Sequence, residues 1–106
     1  MDRQISLLEE HNLVGLPVKW KFKDGEKTYL VLGGEVKKIS TGEIKNLGLM
    51  QEVSASKTDS DEVKYDFGDP EMFEVYMENG NLSSKKVELT DKYYHELASA
   101  FEVDEE

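Results

Sequence analysis

The sequence predicts an α+β protein, a bent, mostly antiparallel sheet of about five or six strands with a short N-terminal helix and a C-terminal helix. Three observations carry this. Val18, Trp20 and Phe22 alternate with lysines, and Val63, Tyr65 and Phe67 alternate with Lys64 and Asp66, the period of a strand with one buried face. Turn-forming pairs punctuate the chain at Asp24-Gly25, Gly33-Gly34 and Asn79-Gly80. Apolar residues at helical spacing occur toward the two ends, Ile5 with Leu8 and then Tyr93, Leu97 and Phe101. Strands in the middle and helices outside them make an α+β order.

With 106 residues and 12.1 kDa, the chain fits a single domain over residues 1–106. Its composition is 38% apolar and 34% charged, against about 25% charged in an average domain. A modest core under a heavily charged surface follows. The chain contains no cysteine, which excludes disulfides, thiolate nucleophiles and Cys-ligated metal sites. The first six residues lack the basic and apolar regions of a secretory signal, and no apolar run could span a bilayer. A cytoplasmic location is the expectation.

Residues 2–12 form the first helix in this reading, with Asp2 as N-cap, Ile5 and Leu8 on the inner face, and residues 12–15 ending it. The hairpin over 18–32 is the clearest element. A type I′ turn at Asp24-Gly25 pairs Phe22 with Lys27, Trp20 with Tyr29 and Val18 with Val31. Its opposite face carries Lys19, Lys21 and Lys23. Gly33-Gly34 makes a bulge or bend, and residues 35–39 continue beyond it. After a turn at residues 40–43, a third strand covers 44–53, and residues 54–62 read as a polar loop. A fourth strand covers 63–67 and is broken by Gly68-Asp69-Pro70. Residues 71–89 suit a helix starting at Pro70 or a hairpin about Asn79-Gly80. The hairpin is preferred and places Glu74 opposite Lys85 and Met77 opposite Leu82. Thr90 or Asp91 caps the last helix, which runs to about Phe101, and residues 102–106 fray as an acidic tail. The stretch 15–39 is similar to the opening hairpin of SH3-like barrels, which would imply a small barrel.

The charge is segregated. Residues 1–57 hold nine Lys/Arg and eight Asp/Glu, whereas residues 58–106 hold four Lys and fifteen Asp/Glu, so the second half carries the whole net charge of −10. Such asymmetry marks either an interaction surface or a solubilising one.

Tests for chemistry fail one by one. His95-Glu96 opens a zinc-protease pattern, but Ser99 stands where the second histidine belongs. His11 falls at a helix end, where it meets terminal carbonyls. No serine lies in a nucleophile elbow, and no phosphate-binding glycine motif is present. A calcium loop starting at Asp59 would need an oxygen ligand and then glycine where Val63 and Lys64 stand. Neither metal nor cofactor is expected. The lysine stripe of the first hairpin could track phosphates, but a net charge of −10 argues against direct nucleic-acid binding.

A non-catalytic protein-interaction module is the reading that remains. The acidic half would dock on a basic surface of a partner protein, as small acidic inhibitors and DNA mimics do. Asp59, Asp61, Glu62, Asp66, Asp69, Glu71, Glu102 and Asp104 are the candidate partner-binding residues. The alternative is an accessory or assembly subunit that uses an apolar face to join another protein or a second copy. An enzyme of unfamiliar type ranks last, and monomer or homodimer is left open.

Overall fold

The computed structural model describes residues 5–101. The proposed Asp2 cap and the tail with Glu102 and Asp104 lie outside them. Five antiparallel strands form one sheet in chain order: β1 (Pro17–Phe22), β2 (Gly25–Lys38), β3 (Ile44–Lys57), β4 (Val63–Glu78) and β5 (Asn81–Lys86). A helix precedes the sheet, α1 (Leu7–Glu10), and α2 (Tyr94–Ala98) follows it, running into a 3-10 turn at Ser99–Phe101. β1 comes near β5 without pairing to it, so the sheet is not closed. No helix among the described residues is long and apolar enough to cross a membrane.

α1 is shorter than expected. Ser6 caps it, accepting the Glu9 N–H at 3.3 Å while its hydroxyl donates to Glu9 Oε1 at 3.0 Å. The Ser-x-x-Glu pattern is thus the true start signal. Ile5, expected on the inner face, is exposed, and Leu8 is fully buried. Leu8 enters a saddle made by two glycines paired across β2 and β3, Gly34 and Gly48. A Cβ on Gly34 would lie 2.5 Å from Ser6 Oγ, and one on Gly48 would lie 2.6 Å from Leu8 Cδ1. The Leu7 N–H donates to Asn46 Oδ1 at 2.9 Å, fixing the helix to β3.

Two apolar clusters hold the sheet. Leu8, Trp20, Tyr29, Val31, Met50, Phe73 and Val75 form the larger, in which Tyr29 meets Phe73 edge-on at 5.0 Å and Phe22 at 5.9 Å. Ile39, Leu47, Val87 and Leu97 form the smaller, under α2. Glu96 ties α2 to the β2–β3 turn, accepting from Ser40 N at 2.7 Å and Ser40 Oγ at 2.8 Å.

Several expected boundaries and pairings need correction. The first hairpin pairs Phe22 with Gly25, Trp20 with Lys27 and Val18 with Tyr29, a two-residue slip from the expected register. Gly25 (φ 125°) alone carries positive φ at this turn, whereas a type I′ turn would have forced Asp24 there too. A two-residue slip keeps every side chain on its face, so the inward set is the one expected. Gly33-Gly34 does lie at a register shift, but β2 runs on as one strand. The segment 54–62 is not a loop throughout, because β3 continues to Lys57 and only 58–62 turn. Nor does Gly68-Asp69-Pro70 end β4; Gly68 and Asp69 form a bulge opposite Glu52, and Pro70 pairs with Gln51 beside it, a place where proline is tolerated. The final helix starts at Tyr94, with Tyr93 as N-cap and no capping side chain. Asp91 instead accepts the Glu88 N–H at 2.9 Å, closing the turn before it. The β4–β5 hairpin is as expected, with Glu74 opposite Lys85, Met77 opposite Leu82, and positive φ at Asn79 and Gly80.

Candidate protein interface

β3 and β4 extend together past the strands that flank them. β2 accompanies β3 only as far as Glu52, and β5 accompanies β4 only from Phe73 onward. Beyond those points the two strands continue alone as a two-stranded arm, with Val53 opposite Phe67, Ala55 opposite Tyr65 and Lys57 opposite Val63. Every residue from 54 to 70 is exposed. The tip turns through 58–62, where Asp61 adopts φ 64° and the Thr58 N–H bonds the Glu62 carbonyl.

Alternation sorts the arm into two faces. One carries Val53, Ala55, Val63, Tyr65 and Phe67 with Lys57, and the other carries Ser54, Ser56, Lys64 and Asp66. Val63, Tyr65 and Phe67 are 51%, 60% and 56% exposed, although strands with this alternation ordinarily bury their apolar side. A large apolar strip left in water marks an interaction site more often than a structural one.

The structure also divides the acidic residues by task. Glu71 pairs with Lys86 at 3.5 Å, and Glu74 pairs with Lys45 at 3.5 Å and Lys85 at 3.8 Å. Those carboxylates, with Glu96 and Asp91, hold the sheet and its flanking turns together. Asp59, Asp61, Glu62, Asp66 and Asp69 make no ion pair among the described residues. Of the candidate residues, then, the fold brings these five onto the arm, sets Glu71 at its base in an ion pair, and leaves Glu102 and Asp104 outside what is described. Sequence reasoning missed Val53 and Ala55 and read the strip Val63, Tyr65 and Phe67 as core-facing. The matched five-residue runs on either side of Thr-Asp-Ser-Asp-Glu were the available signal.

The other candidate chemistry stays apart from the arm. His11 Nδ1 lies 2.9 Å from the Leu7 carbonyl, capping the end of α1 as expected. His95 is exposed and stacks edge-on with Tyr94 at 5.7 Å. Among the described residues no three His, Cys, Asp or Glu side chains gather into a metal-binding group. The groove between β1 and β5, about 440 Å³, is lined by Lys19, Trp20, Lys21, Glu26, Glu78 and Asn79 among others. The Tyr29 hydroxyl is held above its ordinary value of 10.0, by burial first and then by the negative charges of Glu71, Glu52 and Asp24. No protein-family model, curated protein or solved structure matches the chain.

Proposed function

We propose that this protein is a non-catalytic interaction module that presents the β3–β4 arm to a basic surface of a partner protein. The observation that carries the reading is the combination on one projecting ribbon of an exposed aromatic strip with five carboxylates that make no ion pair among the described residues. Carboxylates steer the encounter and the aromatic side chains supply the buried contact, a division of labour common at interfaces. An acidic inhibitor that occupies a nucleic-acid-binding surface is one specific form of this function.

The test is affinity capture from a cell extract by the full chain, at low and at high salt. A quintuple variant, Asp59→Asn, Asp61→Asn, Glu62→Gln, Asp66→Asn and Asp69→Asn, serves as the comparison. Partners retained at low salt are expected to be lost at high salt, because screening shortens the reach of exposed charges to roughly 3 Å at 1 M. The variant is expected to retain none of them. Equal capture by both proteins, or capture indifferent to salt, would overturn the proposal.

A further inference from the structure

The arm has a second property that charge counting does not expose. Among the described residues its outer edge is bare: β5 pairs with β4 from Phe73 to Glu78, leaving residues 63–67 with a strand neighbour on the β3 side alone. We infer that this edge pairs antiparallel with the same edge of a second copy, about a two-fold axis at Tyr65.

The sequence of the edge supports one register. Val63-Lys64-Tyr65-Asp66-Phe67 is self-complementary when reversed. Centred on Tyr65, antiparallel pairing sets Lys64 against Asp66 of the second copy and Asp66 against its Lys64 on one face. On the other face Tyr65 meets Tyr65, and Val63 meets Phe67, twice. Opposite charges and aromatic pairs directly across from one another are the stabilising cross-strand combinations. The neighbouring registers lack this match. Centring on Asp66 opposes two aspartates, and centring on Lys64 opposes two lysines. The inner strand of the arm offers no equivalent, since Val53-Ser54-Ala55-Ser56-Lys57 pairs serine with serine and valine with lysine.

The ends of the pairing are set by the fold. The bulge at Gly68-Asp69 and the missing N–H of Pro70 stop it on one side, and the tip turn at 58–62 stops it on the other. A lone two-stranded ribbon is marginal in water, whereas three or more strands with an apolar face are not. Pairing turns two such ribbons into one four-stranded ribbon, β3-β4-β4-β3, with the aromatic strips side by side. The interface repeats one patch on both copies, the isologous type. Its five-residue length places it among small, transient interfaces.

This inference does not rest on docking to a basic partner, and salt separates the two. Each copy carries a net charge of −10, so screening relieves the repulsion between copies as it weakens the exposed Lys64–Asp66 pairs, whereas it only weakens docking. Sedimentation velocity of the full chain over a concentration series is expected to move from the 12.1 kDa monomer toward a dimer. Lys64→Asp and Asp66→Lys, each alone, are expected to weaken dimerisation by about tenfold by opposing like charges. Mixing the two variants is expected to restore it, as is combining both substitutions in one chain. Both sites are exposed, and far-UV spectra of each variant check that it is folded. A chain that stays monomeric at every concentration, single variants that dimerise like the parent, or a mixture that fails to associate would each overturn the inference.

Discussion

Gly33 and Gly34 are adjacent in β2 yet face different surroundings. A Cβ at Gly33 meets nothing within 4 Å, whereas one at Gly34 collides with Ser6 and crowds Leu8. Gly34→Ala is therefore expected to destabilise by about 1–3 kcal/mol, the usual cost of overpacking. Gly33→Ala is expected to be neutral or to stabilise by up to about 1 kcal/mol, because it restricts only the unfolded chain. Urea unfolding of the two variants checks this, and equal losses would mean that α1 does not rest on the glycine saddle. Tyr29 supplies a second test. Its folded-state value is raised, so folding favours the protonated phenol. That contribution is complete below the unfolded value near 10 and is lost as pH rises through the folded one. Thermal unfolding should show stability falling above about pH 10, with part of the fall absent in Tyr29→Phe.

At the scale of elements, the arm is an addition to the sheet. All buried core residues lie outside 54–70. Replacing residues 54–66 by a short Asn-Gly turn is accordingly expected to leave the body folded, with an unfolding midpoint within a few degrees of the full chain. A collapse of the midpoint would show that the arm supports the core. The same feature explains what the sequence could disclose. The β4–β5 hairpin was legible to the individual pair because Asn79-Gly80 accepts positive φ at both central positions. The faces of β1 and β2 were legible from alternation, but their register was not, since a two-residue slip leaves that pattern unchanged. Residues 54–57 were unreadable for a different reason. Ser54, Ala55 and Ser56 are exposed on the arm, so they need no apolar period and resemble a loop. The Val63, Tyr65 and Phe67 alternation identified a strand correctly, yet alternation cannot say whether anything covers its apolar side.

Across the whole molecule, nine of the fifteen acidic residues of 58–106 fall into two groups, while Glu78 and Glu88 lie on the body with no ion pair among the described residues. Glu71, Glu74, Asp91 and Glu96 are engaged by lysines or by backbone and hydroxyl donors of the body. The five carboxylates of the arm have no such partner among the described residues, and they project with the aromatic strip. If the arm is the interaction element, the body is its scaffold. The direct measurement is low-salt capture by the full chain beside the chain with residues 54–66 replaced, both verified as folded by their unfolding midpoints. The account predicts that the shortened protein folds and retains none of the partners held by the full chain. A folded, shortened protein that retains the same partners would contradict it.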